Sequence, residues 1–213
     1  MYLSRVQIDP AHRGARRLLA SAQVMHAAVL GAFDSVDMDR SRVLWRVDTD
    51  QRGVFLYTVS RGEPNFADFL TQIGSAGNEG GWSCRDYEPL LQRLENGQRW
   101  AFRLTANPAF ADPSHTGKRF GNVTVAQQEQ WLLRRSERCG FEVCKHDDSF
   151  ELMVKDRRVD NFRRNGRMVT IAKATYDGIL CVTDAERLSE AMITGIGHAK
   201  AYGCGLLTLA PLM

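Results

Sequence analysis

The sequence holds no Cys-x-x-Cys pair, no His-Glu-x-x-His and no two histidines three or four residues apart. Its five cysteines (84, 139, 144, 181, 204) and five histidines (12, 26, 115, 146, 198) are scattered. A zinc site needs such ligands at short, convergent spacings, so no metal is expected. An odd, irregular set of cysteines points to reduced thiols rather than a disulfide framework. No apolar run approaches the roughly 20 residues that cross a bilayer. The opening Met1-Tyr-Leu-Ser-Arg-Val-Gln-Ile8 has no signal-peptide apolar core. A cytoplasmic location without a membrane partner is therefore expected. Charge of one sign is barely in excess, with 28 Lys and Arg against 25 Asp and Glu. No global basic field announces a polyanion, so any surface for nucleic acid must be local.

What is present supports a folded chain of 213 residues, 44% of them hydrophobic. That is one large domain or two small ones. The most distinctive stretch is Gly195-Ile-Gly-His-Ala-Lys-Ala-Tyr-Gly-Cys-Gly205, followed by the apolar Leu206–Leu212. Glycines there permit a tight helix-to-strand turn, or a close backbone approach to a phosphate beside Lys200. It is neither of the common nucleotide loops. Lys200 lies between two alanines, so the Gly-Lys-Ser/Thr ending of a P-loop is missing. The third glycine of a dinucleotide loop is replaced by Lys200, and the helix comes before the loop rather than after it. No cofactor is expected.

In chain order, residues 2–8 read as a strand ended by Pro10. Residues 13–33 have helical periodicity, and Ser21 is placed to cap a second helix within them. Strands are expected at 42–48 and 54–60, joined by Thr49–Gly53, then a short helix at 65–73, a glycine loop at 74–81 and a strand at 98–105. Residues 1–106 thus read β-α-β-β-α-β, the ferredoxin-like order. Residues 107–123 suit a linker. In residues 124–213, Thr124-x-x-Gln127 and Thr183-x-x-Glu186 read as capping boxes opening two helices. Between them come strands at 150–154, 159–163, 168–172 and 174–182, with Asn165-Gly166 as a hairpin turn. The glycine loop and a strand at 206–209 close a second ferredoxin-like half. The fold class is α+β, two tandem ferredoxin-like domains joined by a short linker.

Seven basic residues fall between positions 155 and 173: Lys155, Arg157, Arg158, Arg163, Arg164, Arg167 and Lys173, opposed there by Asp156 and Asp160. Such a hairpin either grips nucleic-acid phosphates or is a solvated arm. Lys118 and Arg119 form a second small cluster. His26 lies beside the apolar stripe of the first helical stretch. It is either a packed core histidine or a general acid or base facing a cleft. Lys118-Arg-Phe-Gly-Asn122 has only a fragment of the aromatic strand motif of RNA-recognition domains, so bases stacked on the sheet are not expected.

Met1–Val6, Met25-His26, Phe102-Arg-Leu-Thr-Ala-Asn-Pro108, Thr116-Gly-Lys-Arg119, Gln130-Trp-Leu132 and the run Gly195–Pro211 together resemble the CasE family, the CRISPR repeat-RNA endoribonucleases of type I-E Cascade. The resemblance runs from end to end, and the closing run is its most specific part. It implies metal-independent cleavage of precursor CRISPR RNA at the base of the repeat hairpin. The 2′-OH attacks the adjacent phosphate, leaving a 2′,3′-cyclic phosphate and a free 5′-OH. It also implies retention of the product hairpin and assembly with other Cascade subunits. His26 matches the family's catalytic histidine, Arg163 and Arg164 match the hairpin that holds the stem, and Lys200 lies in its glycine loop.

Two positions depart from the family pattern. Gln23 stands where members carry a tyrosine, three residues before the histidine, and His198 stands for a loop proline. An amide can donate a hydrogen bond to a phosphate oxygen but is no acid at neutral pH. His26 is expected to carry proton transfer with Gln23 orienting, and His198 or Tyr202 are the substitutes. The alternative is a non-catalytic repeat-RNA-binding subunit of the same complex. A nucleotide-using small-molecule enzyme fits poorly, because the loop fails both nucleotide patterns.

Overall fold

A computed structural model describes residues 1–33, 43–75, 81–111, 119–164 and 167–212. The chain divides into two compact units, Met1–Gln92 with Lys200–Gly203, and Arg93–Ala199 with Cys204–Met213.

The first unit runs β1 (Tyr2–Ile8), α1 (Arg13–Leu19), α2 (Ala22–Leu30), β2 (Leu44–Asp50), β3 (Gly53–Ser60), α3 (Ala67–Gln72), β4 (Trp82–Asp86) and α4 (Glu88–Leu91). Its sheet has the order β2-β3-β1-β4, antiparallel throughout. With helices after β1 and β3, this is the ferredoxin-like arrangement. Alternation sets the faces: Ser4, Val6 and Ile8 of β1 are buried while Arg5 and Gln7 are exposed. Ser21 divides the helical stretch as anticipated. Its backbone is extended and its Oγ accepts from Val24 N–H at 3.4 Å, so α2 starts afresh. Ala15, Leu18, Met25 and Val29 from the two helices share a core with Val6, Ile8, Trp45 and Leu56 from the strands. Phe66 lies at the centre of an edge-to-face set with Phe33, Phe69 and Trp82, at centroid distances of 6.4, 5.8 and 5.4 Å. Phe66 and Phe69, fully buried, each contribute about 1.5–3 kcal/mol.

The second unit runs β5 (Arg99–Ala106), β6 (Ala109–Ala111), β7 (Arg119–Gly121), α5 (Val125–Ser136), β8 (Phe141–Val143), β9 (Lys145–His146), β10 (Ser149–Phe150), β11 (Leu152–Arg164), β12 (Arg167–Val182), α6 (Ala185–Thr194) and β13 (Leu207–Ala210). Strands β11-β12-β5-β13 are ordered in that way, and β8 pairs the last residues of β12. Both β8 and β11 overlap β5 in their register on β12, so they share the edge opposite β5. Omitting β6, β7 and β9–β11 leaves β5-α5-β8-β12-α6-β13, the ferredoxin-like order again. The omitted β11 turns β12 into a long two-stranded arm. Trp131 of α5 stacks on Tyr176 of β12 at 6.0 Å, and Leu132, Leu104, Leu180, Leu188 and Met192 are fully buried.

Several expectations are corrected. The fourth strand of the first sheet is Trp82–Asp86, and the strand expected at 98–105 pairs in the second sheet. The compact first unit accordingly stops at Gln92 rather than near 106. Residues expected as linker include the β6–β7 ladder. The strands expected at 150–154 and 159–163 are one, continuous through a bulge between Lys155 and Arg158, where Asp156 has φ 48°. The strands expected at 168–172 and 174–182 are likewise one. Helix α6 is capped by Asp184, whose carboxylate accepts from Arg187 N–H at 3.0 Å, not by Thr183. The Thr124–Gln127 capping box is present in full. The Asn165-Gly166 turn lies outside the described residues.

Candidate active site

Helix α2 turns Met25 and Val29 into the core, which places Gln23 and His26, three residues apart, as neighbours on an outer stripe. Gln23 is exposed and His26 half-buried. On β2, Trp45 is 3% exposed. Its indole N–H donates to Nδ1 of His26 at 3.3 Å. The next residue points to the opposite face. There Arg46 makes a two-pronged pair with Asp48 at 2.7 and 2.9 Å, both buried, and its guanidinium lies 5.6 Å over the Tyr57 ring. Asp48 therefore balances the Arg46 charge inside the fold.

The segment Lys200–Gly203 belongs to this same unit. Its 3-10 turn, Lys200–Tyr202, packs on α2 and β2. The buried Tyr202 ring lies 6.4 Å from the His26 ring, tilted by 56°. Gly203 has φ +78°, and a Cβ there would fall 2.7 Å from Cζ3 of Trp45. Only glycine lets the backbone lie on the indole, so one function of the glycine run is to hold Trp45. Ala199 also has positive φ, 63°, an uncommon conformation for a side chain with a Cβ. Lys200 is half-buried and His198 exposed. Burial pushes the Cys204 thiol up to about 12, so it is no thiolate at neutral pH.

The β11–β12 arm carries the basic cluster, and much of its charge is already matched. Asp160 accepts from the buried Lys173 at 2.7 Å and pairs with Arg158 at 3.2 Å. Asp177 pairs with Lys155 at 2.5 Å and is bridged by Arg103 through two 2.6 Å bonds. Burial works against ionising Asp177, but the bonds from Arg103 and Lys155 outweigh it and hold the carboxyl below its ordinary value. Arg157 donates from Nε to Gln128 at 2.9 Å and also to the Val123 carbonyl, tying the arm to the start of α5. Arg157 and Arg158 thus brace the arm as well as facing solvent. Asp177, outside the 155–173 stretch, joins Asp160 in opposing the cluster. Arg163 and Arg164 end β11, Arg167 opens β12, and Arg119 opens β7; their side chains lie outside the described structure. Lys118 lies outside the described residues altogether.

The structure therefore sets Gln23 beside His26 on α2, packs the Lys200–Tyr202 turn on that helix with Tyr202 next to His26, and adds Trp45, which sequence reasoning missed. The Trp45–His26 contact joins residues 19 apart through a strand and a helix, so no local pattern could disclose it. Among the described residues, no three His, Cys, Asp or Glu side chains gather as a metal centre would require. Among them too, no helix is long and apolar enough to cross a membrane.

Comparison with known proteins gives matches along the whole chain. The family described as CRISPR associated protein matches residues 1–211. The chain is 32% identical over 226 residues to the CRISPR-associated endoribonuclease Cse3 of Thermus thermophilus, covering 99% of this chain and all of that one. It is 32% identical over 130 residues to the CRISPR system Cascade subunit CasE of Escherichia coli, covering 56% of this chain and 62% of that one. It also resembles the structure of Thermus thermophilus Cse3 bound to an RNA representing a pre-cleavage complex. That match has a TM-score of 0.80 and 30% identity, and covers 99% of this chain and 98% of that one.

Proposed function

The chain belongs to the CRISPR associated protein family, within its CasE group, and from that membership we propose that it is an endoribonuclease cutting CRISPR repeat RNA at the base of the hairpin. The observation that carries the proposal is the setting of His26, held by both an indole hydrogen bond and a neighbouring phenol ring. The ribose 2′-oxygen attacks the adjacent phosphorus, the P–O5′ bond breaks, and a 2′,3′-cyclic phosphate and a 5′-OH result. No protein nucleophile is needed, so the work left to the side chains is orientation and support of developing charge. His26 meets the reacting phosphate, Gln23 donates its amide to a phosphate oxygen one helical turn away, and Lys200 offsets negative charge from the adjoining turn.

The unit holding His26 is the catalytic domain, and the other grips the stem with its arm. Arg163, Arg164 and Arg167 at the arm's end, with Lys118 and Arg119, contact stem phosphates; Arg157 and Arg158 support them from its base. The product hairpin stays bound, and the protein joins the other Cascade subunits with it, in the cytoplasm. One residue favours a second reading: Gln23, exposed where the family resemblance calls for a phenol, suits a subunit that binds the repeat without cutting it. A gel assay of cognate repeat hairpin with excess protein, in chelator, separates them. Cleavage by the wild type and none by His26→Ala supports the enzyme. Tight binding with an intact hairpin supports the second reading.

A further inference from the structure

We infer that Trp45 is a positioning residue that fixes His26 in its Nε2–H tautomer, so that the histidine meets the scissile phosphate as a neutral hydrogen-bond donor rather than as the base for the 2′-OH. The inference rests on the assignment of His26 to the reaction. An indole nitrogen only donates. At 3.3 Å its hydrogen points to Nδ1 of His26, so that nitrogen must present its lone pair. A neutral imidazole with Nδ1 unprotonated carries its hydrogen on Nε2. A proton added at Nδ1 would set two N–H groups against each other. The indole has little room to turn away, because it is 3% exposed and the Gly203 backbone lies against its six-membered ring. The Tyr202 ring beside His26 further confines the imidazole.

A base for the 2′-OH needs a lone pair on the nitrogen facing the ribose, and this tautomer has a hydrogen there. The reaction then balances without His26 changing its proton count. The 2′-OH proton passes to solvent hydroxide as the O2′–P bond forms. As the P–O5′ bond breaks, Nε2–H donates a hydrogen bond to the charge building on oxygen, and O5′ takes its proton from water. A neutral imidazole is a competent donor to developing negative charge.

The test uses the full-length protein. 15N-edited NMR of the histidine rings, with His26 assigned by loss of its signals in His26→Ala, reads the tautomer without any RNA. The expected wild-type pattern is an unprotonated Nδ1 and a protonated Nε2 at neutral pH. Trp45→Phe keeps an aromatic ring but no donor, and is expected to give a mixture of tautomers. Single-turnover cleavage should then fall about five- to tenfold in Trp45→Phe, as for loss of one orienting hydrogen bond. An Nδ1–H or doubly protonated His26 in the wild type overturns the inference, whatever Trp45→Phe does. Failure of the wild type to cut RNA, with the expected tautomer present, would count against the enzyme and leave the tautomer standing.

Discussion

Around His26 the neighbours are an indole, a phenol and an amide-bearing helix, whereas along the β11–β12 arm most described neighbours are ions. The first region sets an imidazole among aromatic groups that fix its orientation. The second gathers cations and then matches the lower ones with Asp160 and Asp177. The difference shows why counting charge misjudges function. Lys155, Lys173, Arg103 and Arg158 hold the arm's shape, and in the proposed function its end meets the RNA phosphates. A single contact between neutral rings, by contrast, can decide which proton a catalytic group presents.

That comparison can be broken first at the histidine. His26→Ala should lower single-turnover cleavage by about a thousandfold, within the range for losing one acid–base or donor group, while repeat-RNA affinity stays unchanged in a filter-binding titration. Next in size is the arm's end. Arg163→Ala with Arg164→Ala should weaken repeat binding by at least about tenfold and flatten its salt dependence by roughly one unit of slope per lost phosphate contact. Arg158→Ala, whose guanidinium already faces Asp160, should alter affinity by less than about threefold. Equal effects from both ends of the arm would erase the division drawn here.

Smaller effects sharpen the structural side. Gly203→Ala forces a Cβ into Trp45 at positive φ and should cost about 1–3 kcal/mol, read as a lower Tm together with altered His26 ring signals. Asp177→Asn should cost about 1 kcal/mol near pH 7, the size of a partly exposed pair. Because the folded carboxyl sits below its ordinary value, its pairing stabilises the protein above the unfolded value of about 4. That stability is lost as pH falls through the lowered folded value, so the gap in Tm between wild type and Asp177→Asn should close on acidification.

Much of the fold was legible where local chemistry is strong. Ser21 and the Thr124–Gln127 box mark helix starts in both sequence and structure. Trp82–Asp86 was missed because an edge strand with mostly exposed residues lacks apolar alternation. That omission moved the next strand, Arg99–Ala106, into the wrong sheet. The bulge at Asp156 made one long strand look like two. At the candidate site, His26 and Gln23 were visible through helical spacing and family likeness. Trp45 and Asp177 were not, since their partners come from distant parts of the chain.

The most direct measurement of the central claim is single-turnover cleavage, in chelator, of the repeat hairpin beside a copy with 2′-deoxyribose at the cut site, with end-group analysis of the products. The account predicts rapid cutting of the first to a 2′,3′-cyclic phosphate and a 5′-OH, and no cutting of the second. Cleavage of the deoxy substrate, or a 5′-phosphate product, would contradict 2′-OH attack and with it the role given to His26.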